Sequence, residues 1–228
     1  MNKENWGALE LLRWAVDTYQ DRIALASSFG AEDMVLIDLL SQVTPKPRVF
    51  TLDTGRLPVE TYEVMQEVER RYNLQLEVYC PDYRKVEEMV RQHGINLFYQ
   101  SVENRKLCCH VRKVEPLQRA LSNLSAWVSG LRRQQSAYRS EVPKVEEDNG
   151  RIKISPLADW SDERVWSYIR KNDLPYNKLH DRKYPSIGCA PCTRPVQPGE
   201  DPRAGRWWWE NSHKECGLHE REELILVQ

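Results

Sequence analysis

Short β-type runs alternate with amphipathic stretches along the first half of this chain, and that order limits its fold more than any other feature. RIALASS from Arg22, RVFTLDTG at 48–55, LQLEVYC at 74–80 and AWVSG at 126–130 read as strands. Between them lie AEDMVLIDLL, with Glu32 and Asp33 in its first turn, and helical patterns over 59–72 and 83–92. Residues 5–19 form an opening amphipathic helix, and 107–121 a further amphipathic stretch that Pro116 threatens to interrupt. Such alternation predicts an α/β fold: an open, mostly parallel sheet with helices on both faces. Near residue 140 the texture changes. Asn149-Gly150 marks a hairpin, and Ser161 caps a helix running to about Asn172. Beyond Leu174 prolines recur and regular pattern fades. The expected organisation is a nucleotide-binding α/β domain over 1–192 and an irregular, mobile C-terminal segment over 193–228.

Charge and hydropathy narrow the partners. Thirty-three basic side chains face 34 acidic ones, for a net charge of −1. That argues against nucleic acid held by bulk charge, while leaving room for a local basic pocket. No apolar run approaches the ~20 residues of a membrane span. MNKENWGALELLRW lacks the continuous apolar core and small-residue cleavage site of a signal peptide. A cytoplasmic location is expected, and cysteines there more often bind metal or do chemistry than form disulfides.

The chain has six cysteines. Cys108-Cys109 and Cys189-x-x-Cys192 offer four thiolates from two segments, a donor set for tetrahedral zinc or an iron–sulfur cluster. Adjacent cysteines on a helix diverge by about 100°. That suits the separate iron corners of a [4Fe–4S] cluster better than one zinc ion; zinc and a disulfide or redox pair are the alternatives. Cys80 ends a strand and reads as a packed apolar thiol. Cys216, in KECGLH, stands apart. It is either a free thiol on the tail or a nucleophile whose thiolate His219 and Lys214 favour.

Three polar loops fall at the carboxyl ends of the strands, where open α/β sheets bind ligands. The first is Ser27-Ser28-Phe29-Gly30, whose amides at a helix start suit an anion. The second is Leu52-Asp53-Thr54-Gly55-Arg56. In the third, Gly130 permits close approach of a ligand, and Arg132, Arg133 and Arg139 are positioned to pair with phosphate or sulfate. Together they predict a nucleotide or other anionic site. No G-x-x-x-x-G-K-[ST] occurs, which disfavours a P-loop ATPase or kinase. Arg203 and Arg206, beside Trp207-Trp208-Trp209, suggest a second anion clamp, with the tryptophans packing the tail onto the domain.

SSFGAED, LDTGRL, CCHVRK, GLRRQQS, LPYNKLHDRKYPSIGCAPCTRP, RAGRWWWE and KECGLH occur in that order. With this series the chain resembles the assimilatory adenosine 5′-phosphosulfate reductases, the iron–sulfur branch of the phosphosulfate reductases, from about Arg22 to Glu220. The resemblance implies an adenine-nucleotide α-hydrolase-like fold with a PP-loop at SSFGAED. It implies one [4Fe–4S] cluster on Cys108, Cys109, Cys189 and Cys192, with Cys216 as nucleophile. Lys113 would sit between cluster and substrate. Arg139, Arg203 and Arg206 would hold the phosphosulfate, with His219 also at the substrate. Ser27, Gly30, Leu52, Asp53, Gly55 and Gly130 would line the nucleotide site. Reduced thioredoxin, or a glutaredoxin-like protein, would supply electrons, and the family suggests a homo-oligomer. Where some members write S-F-S-G, this chain has Ser27-Ser28-Phe29-Gly30, so the second hydroxyl is displaced by one position. The rival readings are a reductase of the 3′-phosphorylated substrate, an ATP-pyrophosphatase-type ligase, and a non-enzymatic iron–sulfur sensor that binds a nucleotide.

Overall fold

The computed structural model describes residues 3–210. Six strands form one sheet: β1 (Ile23–Ala26), β2 (Val49–Leu52), β3 (Glu77–Tyr79), β4 (Ala126–Val128), β5 (Val145–Asp148) and β6 (Arg151–Ile154). Their order is β3-β2-β1-β4-β6-β5. All neighbours pair in parallel except β5 and β6. The helices are α1 (Ala8–Tyr19), α2 (Ala31–Val43), α3 (Val59–Tyr72), α4 (Tyr83–His93), α5 (Val102–Cys109), α6 (Glu115–Leu121) and α7 (Asp162–Lys171).

Alternation along the strands explains the layers. Ile23, Leu25, Val49, Ala126, Val128 and Ile154 point to one face, where α1, α2, α3 and α7 bury their apolar stripes. Ala24, Phe50 and Trp127 point to the other face and pack against Leu117, Ala120 and Leu121 of α6. The expected parallel sheet with helices on both faces is therefore present. So is the hairpin: Asn149 and Gly150 both take positive φ, 51° and 75°, as its two-residue turn requires. Ser161 caps α7 by accepting from the Arg164 amide at 3.1 Å.

Two expectations need correction. β3 is a three-residue edge strand with Val78 52% exposed, not a buried strand over 74–80. Cys80 just beyond it is exposed rather than packed. Pro116 does not interrupt its helix. A π-helical turn over His110–Val114 joins α5 to α6, and Pro116 falls in the first turn of α6.

The boundary drawn at residue 192 falls inside a packed unit. The Val196 amide donates to the Lys183 carbonyl at 2.9 Å, and the Trp207 amide to the Cys192 carbonyl at 3.2 Å, both across that boundary. Trp207 and Glu210 are buried. Residues up to Glu210 thus belong with the α/β domain.

Candidate active site

The sheet order reverses at β1, with β2 on one side and β4 on the other, and loops leaving such a switch point open a crevice between them. Here the crevice is a cleft of about 580 Å³. Ser27, Gly30, Leu52 and Gly130 line it, together with the cations Lys113, Arg139, Arg203 and Arg206. Eight residues singled out from sequence thus converge on one cavity. Asp53 and Gly55 are not among the lining residues. Asp53 instead shapes its loop, accepting from the Gly55 amide and the Tyr62 hydroxyl, both at 2.8 Å. Cys216 and His219 lie outside the described residues.

The serine loop is organised by Asp33 from within. One carboxylate oxygen accepts from the Ser28 amide at 2.7 Å, the Ser28 hydroxyl at 2.9 Å and the Gly30 amide at 3.3 Å. The Phe29 amide donates to Ser27 Oγ at 3.1 Å. These three amides are turned onto the side chains of Ser27 and Asp33. Phe29 holds a left-handed φ of 59° while fully buried, which fixes the turn. Gly130 has a corresponding reason. A Cβ there would meet Asp33 Oδ1 at 2.6 Å, so the glycine makes room for the carboxylate rather than for a ligand. Burial and the neighbouring Glu32 push the Asp33 carboxyl up to about 6, against the pull of the Ser28 and Gly30 hydrogen bonds.

The arginines separate into two kinds. Arg132 is buried and answered by carboxylates: its Nε donates to Glu32 at 2.8 Å, and it pairs with Asp162. Arg133 pairs with Glu4 at 2.6 Å. Neither is left for phosphate. Arg206 is the opposite case. It is 6% exposed and crosses the Trp207 ring at 4.6 Å. Its hydrogen bonds are two long ones, 3.4 Å to Ser186 Oγ and to the Ile187 carbonyl, and its Nε has none. Among the described residues it has no carboxylate partner. A Cβ on Gly188 would fall 2.3 Å from its guanidinium, so the glycine is what admits it.

The cysteines stand behind the cleft. Cys108, Cys109, Cys189 and Cys192 are buried and line one small cavity with Arg56, Arg105, Arg112 and Lys113. No disulfide joins any of the four. Among the described residues no three His, Cys, Asp or Glu side chains gather closely enough to hold a single metal ion. Burial raises Cys189, but Lys113, the Thr54 hydroxyl, Arg206 and Arg112 outweigh it and leave the thiol below its ordinary value. Burial and Cys189 push Cys192 up to about 12. Lys113 borders both the cleft and the cysteine cavity. Thr54, a member of the second polar loop, does similar work. It lines the cleft, and its Oγ1 lies 3.2 Å from Cys189 Sγ. Its carbonyl accepts from Arg112 at 2.7 Å.

Residues 22–195 match the family described as phosphoadenosine phosphosulfate reductase domain. The chain belongs to this phosphosulfate reductase family. Among its relatives in the family is the adenosine 5′-phosphosulfate reductase of Allochromatium vinosum, 54% identical over 94% of this chain and 85% of that protein. The reductase of the same name from Halalkalibacterium halodurans is 47% identical over 95% and 93%. A solved phosphoadenylyl-sulfate reductase from Candida auris, crystallised as a phosphate complex, superposes with a TM-score of 0.72. It is 32% identical and covers 83% of this chain and 91% of its own. Candida glabrata FMN adenylyltransferase, at 16% identity and a TM-score of 0.58, shares the fold. No helix among the described residues is long and apolar enough to cross a membrane.

Proposed function

We propose that this chain reduces adenosine 5′-phosphosulfate to sulfite and AMP, with reduced thioredoxin or a glutaredoxin-like protein as electron donor. One observation carries the reading. Arg206 is a buried cation facing the cleft with no carboxylate among the described residues to answer it, and a bound anion offsets the cost of burying such a charge. Lys113, Arg139 and Arg203 border the same space. A nucleotide carrying a phosphosulfate supplies both the anion and a group that fills the rest of the cleft.

In this mechanism the Cys216 thiolate attacks the sulfate sulfur. The bond from sulfur to the bridging phosphate oxygen breaks, and AMP leaves with its electron pair. Lys113, Arg203 and Arg206 stabilise the charge that grows on the phosphate. Cys216 is left as an S-sulfonate. A thioredoxin thiolate then attacks Cys216 Sγ, sulfite leaves with the bonding pair, and the second thioredoxin thiol resolves the mixed disulfide. Thioredoxin ends as its own disulfide, two electrons poorer.

Cys108, Cys109, Cys189 and Cys192 are the residues that would hold a [4Fe–4S] cluster. The donor set suits it: four thiols line one cavity, amid three arginines and a lysine that offset anionic charge. Bound there, the cluster supplies a fixed charge beside Lys113 and ties the Cys189–Cys192 turn to α5. The chain acts in the cytoplasm, and it assembles as a homo-oligomer.

The test is to incubate the purified protein with sulfur-labelled substrate and no thiol, then digest it. A sulfonate on the KECGLH peptide that thioredoxin releases as sulfite is the expected result; label on another residue, or on none, refutes the mechanism. The 3′-phosphorylated nucleotide is the alternative substrate, and parallel assays of both decide between them.

A further inference from the structure

Among the residues that line the cleft is His180, which the proposed chemistry does not use. It lies in a short 3-10 turn over Lys178–Arg182 and borders the cleft with Trp166 and Lys183. The Trp166 ring meets it edge to face at 5.1 Å, which fixes the plane of the imidazole. Nε2 is buried and has no hydrogen-bond partner among the described residues. A neutral ring with its proton on Nδ1 leaves Nε2 as a bare acceptor. Burial supports that state: it lowers the imidazole, although Glu32, the Tyr184 backbone and Asp181 pull the other way. A buried acceptor that faces a ligand cavity without a donor incurs a desolvation cost that a ligand removes.

We infer that His180 is a substrate-contacting residue whose Nε2 accepts a hydrogen bond from the uncharged, nucleoside part of the ligand. The donor is a ribose hydroxyl or the exocyclic amine of adenine; both present an O–H or N–H to a neutral acceptor. A phosphate or sulfate oxygen, an acceptor itself, has nothing to offer Nε2. The nucleotide would thus lie with its charged end at Lys113 and Arg206 and its nucleoside at His180. This rests on the proposed function, because it takes the cleft as a nucleotide site.

Calorimetric binding of AMP to the full chain tests it. His180→Phe keeps the ring and removes the acceptor. It should weaken AMP about 5- to 10-fold, the usual worth of one neutral hydrogen bond. His180→Gln, which returns an acceptor to nearly the same place, should recover most of the loss. Among 2′-deoxy-AMP, 3′-deoxy-AMP and IMP, the analogue lacking the relevant donor should bind the wild type more weakly by a similar factor. It should also be indifferent to His180→Phe. Equal AMP affinity in the wild type and a folded His180→Phe variant would overturn the inference. So would a loss that falls alike on AMP and all three analogues, since that marks a purely structural role. A wild-type chain that does not bind AMP overturns the proposed function along with it.

Discussion

Arg105 and Glu210 meet in the interior through two hydrogen bonds, Nε to Oε1 at 3.0 Å and Nη2 to Oε2 at 2.9 Å, with side chains 1% and 3% exposed. The Arg105 guanidinium also lies 4.7 Å from the centre of the Trp207 ring. The pair fastens the chain just ahead of KECGLH to the helix that carries Cys108 and Cys109. Glu210→Ala leaves a buried guanidinium without its counter-charge. It should cost about 3–5 kcal/mol in denaturant unfolding. Arg105→Met combined with Glu210→Leu should regain much of that loss. A single substitution costing under ~1 kcal/mol would show that water reaches the pair.

Arg206 should matter to binding more than to folding. Arg206→Ala removes a charge-assisted contact worth about 1.5–3 kcal/mol, so nucleotide affinity should fall by roughly 10- to 150-fold. Thermal stability should hold or rise, because the variant no longer buries an unanswered charge. Unchanged affinity for AMP and the phosphosulfate would contradict the role given to this side chain.

Gly130→Ala places a methyl group where Asp33 Oδ1 sits, 2.6 Å away. Overpacking of this sort costs about 1–3 kcal/mol. Because the conflict is with Asp33, adding Asp33→Ser should relieve part of it. A double-mutant cycle measures the coupling, and strict additivity would disprove the contact.

The Asp33 carboxyl titrates near 6 in the folded chain against 3.8 as its ordinary value. Between those two pH values the native state binds the extra proton, so this group's contribution to stability falls as pH rises and is level above about 6. The full difference is on the order of 3 kcal/mol. Asp33→Asn removes the titration. Its stability relative to the wild type should therefore climb from about pH 4 to pH 6 and then hold. A difference that stays flat across that interval would mean Asp33 ionises as an ordinary surface acid.

Anaerobic reconstitution should load about four irons and four sulfides per chain, with the visible absorption of a cluster. Cys108→Ser and Cys192→Ser should each lose both. One zinc per chain and no sulfide would favour the tetrahedral alternative.

The sheet could be read from sequence because its strands alternate: Ile23 and Leu25 against one layer, Ala24 against the other. The edge position of β3 could not. Whether Val78 is covered depends on a further neighbour beyond β3, which the described residues do not supply, and no composition records that. The same holds for the arginines. Arg132 and Arg206 both sit in polar, glycine-bearing stretches. What separates them is Glu32, a hundred residues from Arg132 in the chain and 2.8 Å away in space. Thr54 sits in the LDTGRL stretch and His180 in LPYNKLHDRKYPSIGCAPCTRP, but neither stands out alone, since a lone hydroxyl or imidazole in a loop is ordinary until the fold aims it at a cavity. Asp33 was noticed only as a helix-start acid; its grip on Ser28 and its nearness to Gly130 are products of the turn.

The π turn at His110–Val114 acts as a phase adjuster in one long rod. Upstream of it the winding must aim Cys108 and Cys109 into their cavity; downstream it must aim Leu117, Ala120 and Leu121 at the sheet. Deleting one residue there would restore regular winding and swing the downstream half by about 100°. Either the thiols or the leucines would then lose their target. Length in this stretch is thus less negotiable than identity, and indels there should be tolerated far less well than substitutions.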